Sequence, residues 1–241
     1  MGAFAAQKWE RLFQNFDPFL QGFKTTLFIV LLALLLSLLL GIIFGLCSTS
    51  HLKGLRGAAR VYVEFFQNTP LLIQIFFLYN ALPYIGVVLP VTLIGILGVG
   101  IYHGAYMAEV VRTGIQAVSK GQEEAATSQG FQYMQMMGYI VLPQALKVML
   151  PPLTNIAANL IKNTSILAVI AGGDLMYQAD SFASSTLCYG PAYVAAGALY
   201  FIICFPLARL SGYLERSFGA SPKSKDYSEL LSSYGIGKGE A

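Results

Sequence analysis

Charge is scarce in this chain. Only 11% of its 241 residues are charged, against about 25% in an ordinary soluble domain. That scarcity argues against a solvated globular surface. The net charge of +3 is too small to read as a nucleic-acid footprint. The three cysteines, Cys47, Cys188 and Cys204, stand far apart and match no zinc or redox spacing. The two histidines, His51 and His103, are too few and too separated for a metal cluster. No Gly-x-x-x-x-Gly-Lys-Ser/Thr loop occurs, so ATP has no phosphate cradle of that kind here. No internal repeat is visible. What the chain has in abundance is apolar surface: 56% hydrophobic residues and a mean hydropathy of +0.61. Together these make it a membrane protein before any motif is read.

Leu27 to Cys47 is an uncharged apolar run, long enough to cross a hydrocarbon core of roughly 30 Å. It starts late, is long and lacks a small-residue cleavage site, so it reads as a first span rather than a signal peptide. Further spans are expected over about Val61 to Tyr84, Val91 to Val111, Leu153 to Ile170 and Tyr193 to Leu210. The loop after span one holds Lys53, Arg56 and Arg60 and no acid, which marks that end as cytoplasmic. Five spans then put the N-terminus outside and the C-terminus in the cytoplasm. Asp174 and Asp180, without a base, suit the outside, and Arg209, Arg216, Lys223 and Lys225 suit the inside. Lys24 argues against the scheme. The expected division is an extracytoplasmic segment over 1–22, a membrane domain over 23–217 and a flexible cytoplasmic tail over 218–241. The membrane domain includes a cytoplasmic loop over about 113–150.

That loop is the most informative stretch. Gln122 to Gln129 reads as a short helix with Glu123 and Glu124 near its N-terminus. Ala125 and Ala126 offer a small face, and Gly130 suits the helix end. Phe131 to Tyr139 reads as a second short helix, which Pro143 is expected to break. Two short helices at an angle form a knuckle that can enter a groove on a partner. An amphipathic loop lying on the membrane surface is the plainer reading.

The spacing of Glu124-Ala125-Ala126, Gly130, Ile140, Leu142 and Pro143 resembles the "EAA" loop of permease subunits of binding-protein-dependent ABC importers. The resemblance runs from about Gly22 to Glu215 and is similar in detail to the polar amino-acid branch, the histidine, glutamine and glutamate type. It rests further on Tyr62-Val63-Glu64, Asn68-Thr69-Pro70-Leu71-Leu72, Gly104-Ala105-Tyr106-Met107-Ala108-Glu109, Arg112, Gly121-Gln122 and Lys162-Asn163-Thr164-Ser165. Two departures stand out. Gln67 occupies a position where the family often has Arg, and Thr113 one where it often has Gly.

The resemblance implies a type I importer permease: all-α, with about five transmembrane helices, in the bacterial cytoplasmic (inner) membrane. It implies a coupling helix, at Glu123, Glu124, Ala125, Ala126 and Gly130, that docks on an ATP-binding subunit. The partners it implies are two ATPase subunits, a second permease subunit, identical or related, and an extracytoplasmic amino-acid-binding protein. Membrane lipid surrounds the chain, and no nucleic acid is involved. No cofactor is expected in this chain, because ATP and Mg are used by the partner, and no enzymatic activity of its own is expected.

Polar residues inside the spans suggest where a substrate passes. Lys162 is about eight residues from either end of its expected span, roughly 12 Å at 1.5 Å per residue. A lysine at that depth is costly unless it is paired or faces water. It is either a structural ion pair or a cation that receives a carboxylate. His103, Tyr106 and Glu109 recur every third residue and share one helix face. Glu109 could serve Lys162, or it could pair with Arg112, and His103 by itself suits a satisfied core histidine. Interhelical hydrogen bonding is the common role of residues such as Asn163 and Ser165. The resemblance places Lys162, Asn163, Ser165, Tyr106 and Glu109 along the central cavity. The expected function is ATP-driven import of a polar amino acid (glutamate, glutamine or aspartate) by alternating access. An ion-coupled secondary amino-acid carrier, with Glu109 or Lys162 relaying protons, is the alternative.

Overall fold

A bilayer offers the backbone no water, so a spanning segment must satisfy its own hydrogen bonds. The computed structural model describes residues 2 and 4–218, and every regular element among them is helical. The uncharged run after Leu27 forms the middle of α2, Asp17–Thr49. Its 33 residues measure about 50 Å, more than the core of the membrane requires. A short helix, α1 (Ala6–Gln14), precedes it within the expected extracytoplasmic segment.

The second expected span is not one rod. α3 (Lys53–Gln67) meets the segment Leu71–Ile85 at 98°. That second arm opens with α4 (Leu71–Phe76) and continues through a π-helical turn, Phe77–Ala81, and a 3-10 turn, Leu82–Ile85. Pro70 has no amide proton and disfavours the α conformation at Thr69, so the helix stops there. Side chains take over the broken ladder. Asn68 Nδ2 donates to Glu64 O at 2.7 Å, Thr69 Oγ1 to Phe65 O at 2.9 Å, and Gln74 Nε2 to Thr69 Oγ1 at 2.7 Å. Gln67 makes a neutral link, its Nε2 donating to Ala105 O at 3.2 Å.

The third span is α5 (Val91–Gln116), which packs extensively on α2. Gly41 and Gly45 of α2 make this possible. A Cβ on Gly41 would lie 2.5 Å from Met107 Cβ, and one on Gly45 2.5 Å from Val111 Cβ. The Gly41-x-x-x-Gly45 spacing is therefore a packing device. The core proper joins Ile29 of α2, Ile75 of α4, Ile94 of α5 and Leu160 of the fourth span.

Span four starts earlier than expected. α7 (Tyr133–Met136) runs through a π-helical turn, Met137–Val141, into α8 (Leu142–Asn163), and a 3-10 segment, Thr164–Ile170, follows. The break expected at Pro143 does not occur. This proline stands directly after the π-helical turn, whose irregular ladder is where the missing amide proton is accommodated. Pro151 and Pro152 lie inside the helix rather than before it. Nearby hydroxyls engage the backbone there: Ser211 and Thr154 both donate to Pro151 O, at 3.0 and 2.7 Å. A further helix, α9 (Leu175–Thr186), stands where only a loop was expected. α10 (Tyr189–Phe218) is the last span, and it carries the helix through Phe218. The rest of the expected tail, 219–241, lies outside the described residues. Among the described residues, four helices are long and apolar enough to cross a membrane, and the bent pair makes a fifth if counted as one span.

Candidate functional site

His103 is buried midway along α5. Its Nδ1 lies 2.9 Å from Val99 O. A carbonyl can only accept, so Nδ1 carries the proton and Nε2 keeps its lone pair. Asn163, the last residue of α8, places its Nδ2 3.1 Å from that Nε2 and must be the donor. This fixes the orientation of the Asn163 amide and leaves its Oδ1 available to accept. The two residues open onto a cleft of about 220 Å³ lined also by Tyr102, Tyr106, Ile156 and Asn159. The hydroxyls of Tyr102 and Tyr106 are 3.1 Å apart. Among the described residues, no charged side chain lines this cleft.

Three of the expected residues, His103, Tyr106 and Asn163, are thus brought together. Tyr102 and Asn159 were missed, although each lies four residues before a residue that was chosen, on the same helix face. Lys162 and Ser165 face elsewhere. They line a second cavity of about 480 Å³ with Met176, Tyr193, Ala196, Gly197 and Tyr200. Consecutive helical residues point about 100° apart, so Lys162 cannot share the face of Asn163. The Lys162–Glu109 pairing considered from the sequence is not formed. Glu109 is held by Arg112, whose Nε donates to Oε2 at 2.8 Å and whose Nη2 contacts Oε1. Arg112 Nη1 also reaches Gln116 Oε1 at 2.6 Å. The i,i+3 neighbour wins because it lies on the same helix face. Among the described residues, no carboxylate pairs with Lys162.

The link between spans four and five is anchored by a buried carboxylate. Asp174 caps α9, its Oδ2 accepting from Met176 N at 3.0 Å, while Thr26 Oγ1 of α2 accepts from Leu175 N at 3.0 Å. Burial pushes the Asp174 carboxyl up to about 6, against the pull of backbone amides that favour its ionised form.

The knuckle is present as α6 (Lys120–Ser128), a turn, and α7. Gly130 makes the turn with φ +83°, a conformation that favours glycine. Phe131 N then donates back to Ala126 O at 3.1 Å. Ala126 is buried in one cluster with Val111, Ile115, Met137 and Val141, which ties α6 to the base of the spans. Glu124 and Ala125 are exposed and Glu123 is half-buried. Met134 and Tyr139 add exposed apolar surface on the same loop.

The fold is a bundle of helices long enough to span a membrane, with an exposed two-helix knuckle at one end. The chain belongs to the family of binding-protein-dependent transport system inner membrane components, whose pattern it matches over residues 37–219. It is 44% identical over 205 residues to a "probable glutamine ABC transporter permease protein" of Bacillus subtilis, covering 85% of this chain and 95% of that one. It is 32% identical to a "probable amino-acid ABC transporter permease protein" of the same organism, covering 88% and 96%. A crystal structure of an amino acid ABC transporter with histidines superposes with a TM-score of 0.80 at 34% identity, covering 87% of this chain and 98% of that one. The chain is accordingly a multi-pass permease subunit of an ABC importer of the bacterial inner membrane, and ATP-binding and substrate-binding partners complete the system.

Proposed function

We propose that this permease carries a polar, uncharged amino acid, glutamine first, through the cleft between α5 and α8. The observation that carries the reading is the Asn163–His103 pair in a cleft with no charged lining. A neutral imidazole and oriented carboxamides can match a carboxamide side chain donor for acceptor. A buried charge would be left unpaired there, at a cost of several kcal/mol. The names of the relatives support the same substrate class. Lys162 and Ser165, in the neighbouring cavity, offer a cation and a hydroxyl to the carboxylate that every amino acid carries.

In this reading the N-terminus is outside, two permease subunits enclose the path, and an external binding protein delivers the substrate. Two ATPase subunits grip the knuckles at Glu123, Glu124, Ala125, Ala126 and Gly130, and use the ATP and Mg. Their closure moves the spans through Ala126, which is buried in one cluster with Met137 and Val141 at the start of span four and with Val111 and Ile115 of α5. The test is a pull-down of the chain from its membrane, followed by ATP hydrolysis in lipid with the binding protein and a panel of amino acids. Stimulation by glutamine above glutamate or arginine supports the assignment. Stimulation by a charged amino acid alone would refute the neutral cleft. Transport driven by an ion gradient without an ATPase would refute the mechanism as a whole. Lys162→Ala in the same assay should abolish stimulation while leaving the complex assembled. Wild-type stimulation in that variant would make Lys162 structural.

A further inference from the structure

α1 presents three different edges. Leu12, 1% exposed, enters a cluster with Leu175, Ala179 and Phe182 of α9 and Ala192 of α10, with Trp9 and Phe16 packed against it. Phe13, about 100° further round the helix, is 69% exposed, and Phe4 is 62% exposed. Glu10, Arg11 and Gln14 occupy the remaining arc. A water-facing helix has no use for an open phenylalanine beside a buried apolar seam. A helix lying in a membrane interface does.

The neighbours fix the level of α1. Lys8 Nζ donates to Leu187 O at 3.0 Å, at the C-terminal end of α9, where a cation suits the helix dipole. Leu187 is two residues before Tyr189, the first residue of α10, which exposes its ring there. Tyrosine and tryptophan gather at the membrane–water interface, where the ring is half in lipid. On the other side, two residues link α1 to α2, whose exposed face runs through Leu20, Leu27, Phe28 and Leu31. That face of the spanning helix is left uncovered by the rest of the chain.

We propose that α1 is an interfacial anchor whose Phe13 edge, with Phe4, contacts lipid in the headgroup zone at the end of the bilayer where α2 and α10 begin. Its Leu12 seam grips α9, so lipid contact holds the helix that links spans four and five.

Trp9 is the only tryptophan in the chain, and it stacks with Phe13 at a ring separation of 6.3 Å, so its emission reports this edge directly. The experiment places the intact protein in phosphatidylcholine–phosphatidylglycerol vesicles containing lipids brominated near the glycerol end or near the methyl end of the acyl chain. The expected result is strong quenching by the shallow bromine, weaker quenching by the deep one, and partial protection from iodide. Phe13→Ser should reduce shallow quenching by about two-fold, and Phe13→Leu should retain it. Quenching by iodide alone would place α1 in water. Protection from both bromine and iodide would place the edge against protein, a second permease or another subunit. Either result overturns the proposal, and neither depends on which amino acid is carried.

Discussion

Replacing Gly45 with alanine adds one methyl group where two helices already touch. The new Cβ would lie 2.5 Å from Val111 Cβ, 2.6 Å from Val111 Cγ1 and 2.9 Å from the backbone oxygen of Ala108. Ordinary carbon contacts lie near 3.5–4.0 Å, so α2 and α5 must part by about 1 Å at that level. The β-branched Val111 cannot swing aside freely, and the Ala108 carbonyl belongs to the helix itself. Overpacking of this kind costs about 1–3 kcal/mol. For a chain of this size that is roughly 2–4 °C in Tm per kcal/mol. The assay is thermal unfolding of the purified protein in detergent, with Gly57→Ala as the control. A Cβ at Gly57 of α3 meets nothing within 4 Å, so the control should be neutral or gain up to about 1 kcal/mol from helix propensity. Because α5 also carries His103 and Tyr106, stimulated ATP hydrolysis should fall in Gly45→Ala as well. A Gly45→Ala protein that melts with the wild type would refute the close-packed α2–α5 seam.

Asn163→Ala removes both the donor to His103 and the free acceptor in the cleft. Substrate affinity should fall about tenfold or more, equivalent to the 1–3 kcal/mol of one unsatisfied buried group, while subunit assembly is unchanged; wild-type concentration dependence of ATPase stimulation would remove Asn163 from the path. Glu124→Arg reverses an exposed charge on the knuckle and should sharply lower co-purification of the ATPase with little effect on membrane insertion; an unchanged yield would show that the knuckle docks elsewhere. Asp174 has a folded carboxyl raised from 3.8 to about 6, so the folded state holds its proton more tightly than the unfolded one. Its protonation therefore stabilises the fold below pH about 4, by up to about 3 kcal/mol, and that gain is lost as pH rises to about 6. Asp174→Asn keeps an N-cap and should remove this slope from a Tm series against pH; a variant with the wild-type slope would assign it to another group.

The sequence by itself settled the class of protein. Apolar runs of spanning length, scarce charge and the spacing from Glu124 to Pro143 are one-dimensional signals, and each survives without knowledge of what packs on what. The membrane makes them strong, because lipid permits few backbone solutions. Even the turn at Gly130 could be read from residue type, whereas the spacing of Gly41 and Gly45 only permits a close contact, and the packing on Met107 and Val111 decided it. Prolines misled where position within the helix decides their effect. Pro70 bends its span through 98°, whereas the helix runs on through Pro143, which follows a π-helical turn. α1 and α9 were missed because each is short and owes its place to neighbours: Leu12 to the α9–α10 seam, and Asp174 and Leu175 to the cap and to Thr26.

Only the tertiary structure decided which polar residues share a cavity. Lys162 and Asn163 are adjacent in sequence, yet the turn of α8 sends them to different cavities. Glu109 could have served Lys162, but Arg112, three residues on and on the same face, holds it first. His103 owes its proton arrangement to Val99 on its own helix and its partner to the end of another. Sequence fixes what each side chain can donate or accept, and helix phase and packing fix what lies within reach.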